Sequence, residues 1–385
     1  MRRSTERILT THTGSLARPP DLLAMLQARA TGQAFDDQTF AEQTRAAVAR
    51  IVREQHDDGI DIVSDGELSK PQFADYIADR VNGFEGHNPN PGFVRPSQRP
   101  EPFPEFTAWR NQHNPAPAIS ARPMCVGPLS WKDRAYERDI ENLKRAIADP
   151  RVEEAFMPAP SPGIISMRIP NEYYPSQEAF LFALAEVLAE EYRAITDAGL
   201  VLQIDAPDVA MAWDRQDWES MAEFRSAVAL RIEALNHALA GIPEERVRFH
   251  VCWGNAETPH TGDVPLSEIV DLVMQVKAGA YSIEAANPRH AHEWRVWEET
   301  KLPEGKALIP GVIDSLTNFV EHPDLVAQRI TQYARLVGRE NVIAGTDCGF
   351  GTIASVSPRI HPEIVRAKFR AMADGAALAT RTLWA

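Results

Sequence analysis

Short apolar runs alternate with helical patterns along most of this sequence, and the alternation restricts the fold more than any other feature. Eight runs have the length and composition of β-strands, at residues 8–15, 60–63, 155–157, 201–205, 247–252, 281–284, 307–313 and 342–347. Consecutive parallel strands need a connection of about a dozen residues or more, which a helix supplies. The pattern therefore predicts an α/β fold with eight strand–helix units, a (β/α)8 TIM barrel.

An open, doubly wound sheet is the alternative for the same alternation. Sheets of that kind that bind dinucleotides carry Gly-x-Gly-x-x-Gly after the first strand, and this sequence has no such motif there. We therefore favour the barrel, and we expect residues 1–385 to form a single domain.

One segment, from about residue 82 to residue 135, interrupts the alternation after the second strand. It holds eight prolines between residues 89 and 117, together with the aromatic residues Phe103, Phe106 and Trp109. Proline removes a backbone donor and fixes φ, so a long helix or a central strand is excluded there. We predict an insertion, with one strand at residues 118–126, that lies as a lid over a site.

Polar residues with metal-binding side chains stand at the ends of three predicted strands. His250 and Cys252 are two residues apart, so in a strand both side chains point to one face. Cys348 and Glu284 end two other runs, and the carboxyl ends of barrel strands meet at one face. One imidazole, two thiols and one carboxylate suit a tetrahedral zinc site. The spacing thus predicts Zn²⁺ bound by His250, Cys252, Glu284 and Cys348.

Two thiolate ligands make the metal electron-rich, which favours binding a further thiol over activating water. Metal coordination deprotonates a thiol outright. Three alternatives remain open for these residues: a metallohydrolase that uses metal-bound water, a barrel that binds a ligand without catalysis, and ordinary packing of buried Cys and His side chains.

Charge and composition exclude several partners. The net charge of −14 and the pI near 5.3 argue against nucleic acid or an anionic membrane surface, and no apolar run approaches a membrane span. Three cysteines are too few for a disulfide framework. We therefore expect a cytoplasmic protein whose partners are small molecules. The sequence leaves the oligomeric state open, and a homo-oligomer is one option.

Five short motifs together resemble the catalytic domain of the cobalamin-independent methionine synthase family. They are Ile8-Leu-Thr-Thr-His-Thr-Gly-Ser15, Asp65-Gly-Glu67, Leu202-Gln-Ile-Asp205, His250-Val-Cys252 and Gly345-Thr-Asp-Cys348. The resemblance covers nearly the whole chain and is greatest to short, single-domain members. It implies a barrel, one zinc ion and transfer of a methyl or alkyl group to a thiol.

The resemblance also implies roles for individual residues. Ser15 matches the turn that holds the carboxylate of an amino-acid substrate, while Glu67 and Asp205 match the catalytic carboxylates that bind its ammonium group. Trp131 is a candidate to stack on a flat donor. The four predicted zinc ligands match the ligands of the family.

Leu316 departs from the family pattern. Methionine synthases carry a histidine near this place that handles the proton on the departing methyl donor, and a folate nitrogen leaves poorly without a general acid. We therefore predict a zinc-dependent enzyme that methylates a thiol such as homocysteine, with the donor left open and folate disfavoured by Leu316. The alternative is a zinc-dependent thiol alkyltransferase that uses an epoxide or another alkyl donor.

Overall fold

Eight parallel strands form one sheet that closes on itself. The computed structural model describes the chain apart from residues 31–32, 35, 87, 89–91, 114–122, 150, 153 and 354–358. The barrel strands are β1 (Leu9–Thr10), β2 (Ile62–Val63), β5 (Glu154–Pro160), β6 (Val201–Asp205), β7 (Val247–Val251), β8 (Ala280–Ile283), β9 (Ala307–Ile313) and β10 (Ile343–Thr346). Their order is β1-β10-β9-β8-β7-β6-β5-β2, and a parallel bridge from Thr11 to Ile62 joins the two ends. The predicted TIM barrel is confirmed.

Helices surround this barrel in the described part of the chain. They are α1 (Pro20–Ala30), α2 (Asp37–Asp57), α3 (Tyr76–Arg80), α4 (Pro104–His113), α5 (Ala135–Ala146), α6 (Pro162–Arg168), α7 (Gln177–Asp197), α8 (Ala212–Arg215), α9 (Met221–Ala238), α10 (Val270–Val273), α11 (Val296–Glu299), α12 (Pro323–Val337) and α13 (Pro362–Leu383). Local signals set their ends: the Ser176 and Ser220 hydroxyls cap α7 and α9, and Gly338 ends α12 at φ 89°. None of these helices is long and apolar enough to cross a membrane.

The connection between β7 and β8 is less helical than its pattern predicts. A helix over residues 266–278 is expected from the apolar period, but α10 covers only four residues. The Tyr281 hydroxyl lies 3.1 Å from the carbonyl oxygens of both Met274 and Val276 and donates to them. The N–H of Ala278 also donates to the carbonyl of Val276, two residues back, so the chain turns here and does not continue the helix.

Side chains inside the barrel change from apolar to polar along the strands. Residues at i and i+2 share a face, so Val201, Gln203 and Asp205 of β6 all point inward, and β7 contributes Arg248 and His250 in the same way. At the amino end the interior is an apolar layer of Leu9, Ile62, Phe156, Val201, Ala280, Ala307, Ile309 and Ile343. Polar groups therefore collect near the carboxyl ends of the strands, where the predicted site lies.

The insertion follows the second strand, as expected. Its first and last parts pair with each other as the antiparallel strands β3 (Val81–Glu85) and β4 (Met124–Trp131). The strand predicted at 118–126 overlaps β4, which begins at Met124 and runs on to Trp131, and residues 118–122 lie outside the described residues. The ten-residue helix α4 was not expected in a proline-rich segment. Its proline, Pro104, stands at the first helical position, where the missing N–H costs nothing.

Candidate metal centre and substrate site

Three of the predicted metal ligands meet at the mouth of the barrel. The imidazole of His250 and the thiols of Cys252 and Cys348 each offer one ligand atom, and these atoms all lie within 4.8 Å of one another. The Nε2 atom of His250 is 3.7 Å from Sγ of Cys348. All three side chains are buried. Strand ends that are distant in sequence therefore converge here as predicted.

The spacing fits zinc. Tetrahedral bonds of about 2.0 to 2.3 Å place neighbouring N and S ligand atoms about 3.5 to 3.8 Å apart, which agrees with the separation of His250 and Cys348. The other ring nitrogen of His250, Nδ1, lies 3.2 Å from the Ser282 hydroxyl. This contact turns Nε2 toward the thiols, as an outer hydrogen bond does for a ligating histidine.

Glu284, the fourth predicted ligand, lies beside this group but is engaged with its own loop. One carboxylate oxygen accepts the backbone N–H of Trp253 at 2.9 Å, and the other accepts the side-chain amide of Asn287 at 2.6 Å. Each oxygen still has a lone pair to offer. Ligation by Glu284 therefore stays a prediction.

A hydrogen bond between the two thiols shifts their pKa values in opposite directions. The hydrogen bond from Cys348 lowers the pKa of Cys252 well below that of a free thiol, with further help from His250, although burial opposes this shift. The same hydrogen bond, with burial, raises the pKa of Cys348 well above its usual value. Such a pair presents one ready thiolate to a soft cation.

Glu67 and Asp205 form an acidic pair next to the thiols. Both carboxylates are buried, and burial raises the pKa of Glu67 to about 7 and that of Asp205 to about 6. Lys70 lowers the pKa of Glu67, and the negative charge of Asp205 raises it. Oxygen Oε2 of Glu67 is buried and has no hydrogen-bond partner among the described residues. An unpaired buried carboxylate oxygen is costly, so this pair suits an incoming cation.

Ser15 lies on the turn that faces this pair. A side chain on Gly14 would come within 2.9 Å of Oε1 of Glu67, and one on Gly349 would come within 2.1 Å of the Ser15 hydroxyl. Within the described part of the chain, no hydrogen bond donated by the backbone N–H or the hydroxyl of Ser15 is found. The turn therefore keeps two donors for an anion a short distance from the carboxylates.

Trp131 is not brought to this site. Its indole N–H donates to the carbonyl of Val187 on the outer helix α7 at 2.8 Å, and its ring packs edge-on against Tyr136. Packing on an outer helix explains both contacts. Binding of a donor by Trp131 remains a prediction without support from these contacts.

The histidines that could replace the absent family histidine are engaged elsewhere. Both ring nitrogens of His12 are used, by Gln55 and by the N–H of Gly14, and burial lowers its pKa to about 3. His290 is 3% exposed, and its ring stacks on that of Trp253 with the centroids 3.9 Å apart, between the carboxylates of Asp263 and Glu293. At the loop after β9, Leu316 stands beside Asp314, whose oxygens accept the N–H of Leu316 and the hydroxyl of Thr317.

Asp347 is a structural residue of the site that the motifs did not single out. Its carboxylate accepts the backbone N–H groups of Ala285, Ala286 and Asn287 at 2.7 to 2.8 Å. To reach them from β10 it passes the intervening strand β9 at Gly311, where an added Cβ would lie 2.0 Å from the carboxylate oxygen. Asp347 thus ties the strand end that carries Cys348 to the loop that follows Glu284. A glycine inside a strand was the available signal.

Known proteins resemble this chain over most of its length. The family described as "Cobalamin-independent synthase, Catalytic domain" matches residues 164–376. Curated methionine synthases of Thermococcus kodakarensis and Pyrococcus furiosus are each 26% identical, over 348 and 346 residues, which is 88% of this chain and 86% and 85% of theirs.

Solved structures show the same fold. The B12-independent methionine synthase from Shewanella sp. W3-18-1, in complex with selenomethionine, superposes with a TM-score of 0.75 at 19% identity, covering 98% of this chain and 99% of that one. A putative vitamin-B12-independent methionine synthase from Listeria monocytogenes gives 0.64 at 17% identity, with coverage of 98% and 99%.

Proposed function

Because this chain belongs to the family of the cobalamin-independent synthase catalytic domain, we propose that it is a zinc-dependent methyltransferase that methylates the thiol of homocysteine. The named relatives are methionine synthases that match it over most of their length. The observation that carries the proposal is the buried group of His250, Cys252 and Cys348 beside two carboxylates.

These three residues, with Glu284, would hold the zinc ion, which when bound would supply a Lewis acid that keeps a thiol deprotonated. The protein itself orients the substrate. Glu67 and Asp205 receive its ammonium group, and the N–H and hydroxyl of Ser15 receive its carboxylate. When the ammonium and carboxylate groups on the α-carbon are both bound, the direction of the side chain is fixed. The sulfur is then presented in one attack geometry.

The donor is the second reactant, and we propose one whose leaving group needs no proton. The loop after β9 has Leu316 at the family's histidine position, and the carboxylate of Asp314 is occupied by its own loop. When methylcobalamin gives up its methyl group, the remaining cobalamin leaves without protonation. A folate nitrogen needs a proton to leave. An epoxide remains the alternative alkyl donor for the same thiol.

The insertion covers the donor side in this proposal. Its residues 94–99 run along the loop after β6: Ser97 donates to the carbonyl of Arg215 at 3.1 Å, and the guanidinium of Arg99 lies 4.3 Å above the Trp213 ring. A lid here would exclude water from the reacting groups. We therefore expect Arg99→Ala to weaken donor binding and to leave the affinity for homocysteine unchanged. Titration of the protein with each reactant measures the two affinities.

The function is tested with purified protein. Metal analysis should find one zinc per chain, and homocysteine should be converted to methionine with methylcobalamin but not with methyl-folate. Conversion with an epoxide alone would establish the alkyltransferase alternative. Zinc at full occupancy without product from any donor would count against both, and would favour a protein that binds its ligand without catalysis. We place the reaction in the cytoplasm, where the three unpaired cysteines would stay reduced.

Homocysteine binding should weaken as the pH falls through about 7 to 6. Burial raises the pKa of Glu67 and Asp205 to those values, so both lose their charge in this range, and the attraction to the ammonium group is lost with it. Affinity should fall about tenfold per pH unit for each group once the pH is below its pKa.

Calorimetry of the zinc-loaded protein between pH 5.5 and 8 measures this effect. The matched control ligand is 4-mercaptobutanoate, which is homocysteine without its amino group. Effects of pH on the metal site are common to both thiols and cancel in the ratio of affinities. A ratio that does not change with pH would remove Glu67 and Asp205 from ammonium recognition.

A further inference from the structure

A fully buried guanidinium lies one layer below the substrate site. Arg248 is inside the barrel at 0% exposure, two residues before the metal ligand His250. It donates to Gln203 Oε1 at 2.6 Å, to the Thr11 hydroxyl at 2.9 Å and to the carbonyl of His12 at 2.5 Å. All three acceptors are neutral, and Arg248 makes no ion pair within the described ranges. Burial of a cation without a counter-ion costs free energy. The position of Arg248 therefore needs a structural or functional explanation.

The side-chain amide of Gln203 connects Arg248 to Asp205, and Arg248 fixes its orientation. A guanidinium can only donate, so the amide oxygen of Gln203 must face Arg248 and its NH₂ group must face the opposite way. That NH₂ group donates to Oδ1 of Asp205 at 2.7 Å and to the carbonyl of Thr13 at 2.5 Å. A rotated amide would place its oxygen against the carboxylate of Asp205, so Arg248 excludes that state.

Two ends of the substrate site are connected through this one amide. One hydrogen bond from Gln203 fixes Oδ1 of Asp205, and no hydrogen bond to Oδ2 is found among the described residues. The other hydrogen bond holds the turn from Thr13 to Ser15. The ammonium-binding carboxylate and the carboxylate-binding turn are therefore kept in one spatial relation by Gln203.

We infer that Arg248 and Gln203 are positioning residues that set recognition of the substrate's α-amino group by fixing Asp205 with one oxygen occupied and the other exposed to the ligand. The inference rests on the proposed function. A purely structural role for the pair would instead stabilise the barrel and influence all thiols equally.

The test compares two thiols that differ only in the amino group, homocysteine and 4-mercaptobutanoate, by calorimetry on zinc-loaded protein. Gln203→Glu keeps the shape of the side chain and can still accept from Arg248, but it has no NH₂ to give Asp205. The ratio of the two affinities should fall by about tenfold or more, the usual effect of losing a hydrogen bond to a charged group. Affinity for 4-mercaptobutanoate should fall by a smaller factor, because the variant also loses the hydrogen bond to the Thr13 carbonyl that holds the carboxylate-binding turn. Zinc content should change little.

Two further variants complete the test. Arg248→Lys keeps the charge but loses the fork that orients the amide, and it should lower the same ratio by a smaller factor. Asn236→Asp is the matched amide-to-carboxylate control; it lies on α9, where its amide bridges Gln275 and Lys277, and should leave the ratio unchanged. Equal losses for both thiols, or an unchanged ratio in Gln203→Glu, would overturn the inference. A wild-type protein that binds both thiols alike would overturn the proposed function itself.

Discussion

Replacement of Cys348 by serine should remove the zinc and lower the methyl-transfer rate by a factor of more than about a thousand. A serine hydroxyl does not ionise as a thiol does, so the site loses one of its two anionic soft ligands. Cys252 also loses the thiol hydrogen bond that lowers its pKa. A barrier increase of about 4 kcal/mol corresponds to that loss of rate. Metal analysis and the rate of methionine formation measure the two effects.

Cys125→Ser is the matched control for this variant. Cys125 is also buried, but it lies in β4 of the insertion, where its thiol donates to the carbonyl of Gly127. This control should keep both zinc and activity. Full activity of Cys348→Ser after stoichiometric loss of metal would refute the proposed centre.

Asp347→Ala should destabilise the protein by about 3 kcal/mol and weaken zinc binding about 10- to 100-fold. Three backbone N–H groups would lose their acceptor, each at a cost of about 1 to 3 kcal/mol when buried, partly offset by entering water. The loop that follows Glu284 would then be released from the strand end that bears Cys348. Outer residues of metal sites commonly change affinity by this factor. Urea unfolding and competition with a zinc chelator measure the two quantities.

Asp58→Ala separates stability from metal binding. Asp58 is also a buried carboxylate, but it accepts from Arg366 and Arg370 on α13, on the outside of the barrel. It should lower the free energy of unfolding without changing zinc affinity. If Asp347→Ala changed only stability, as this control does, the connection between Asp347 and the metal site would be wrong.

The main elements of the site were predictable because each is local in sequence. All eight barrel strands occur where apolar runs predicted them, and His250, Cys252 and Cys348 meet because parallel strands end at one face. The family expectation is confirmed by the match over residues 164–376. The roles assigned to Ser15, Glu67 and Asp205 follow from the motifs and stay predictions.

The supporting contacts could not be predicted, because they depend on three-dimensional neighbours. Asp347 binds main-chain groups of another loop, and no pattern of side chains records that. The burial of His290 results from stacking on Trp253, and the position of Trp131 results from a hydrogen bond to the outer helix. A motif identifies which side chains are present but gives no account of what already occupies their hydrogen-bonding atoms.

The closure of the barrel is uneven, and this has a consequence for the two kinds of group in the site. Strands β5 to β9 are joined by ladders of four or five residue pairs each. By contrast, β1 joins β10 through two pairs and meets β2 through one bridge, from Thr11 to Ile62, with the N–H of Asp61 donating to the carbonyl of Thr10 beside it. Ser15, Glu67 and Cys348 come after strands with these short ladders, whereas His250 and Cys252 lie at the end of β7, which has a long ladder on each side. Local opening is therefore easiest on the side that carries the amino-acid contacts and Cys348, and His250 and Cys252 form the more rigid half of the metal centre.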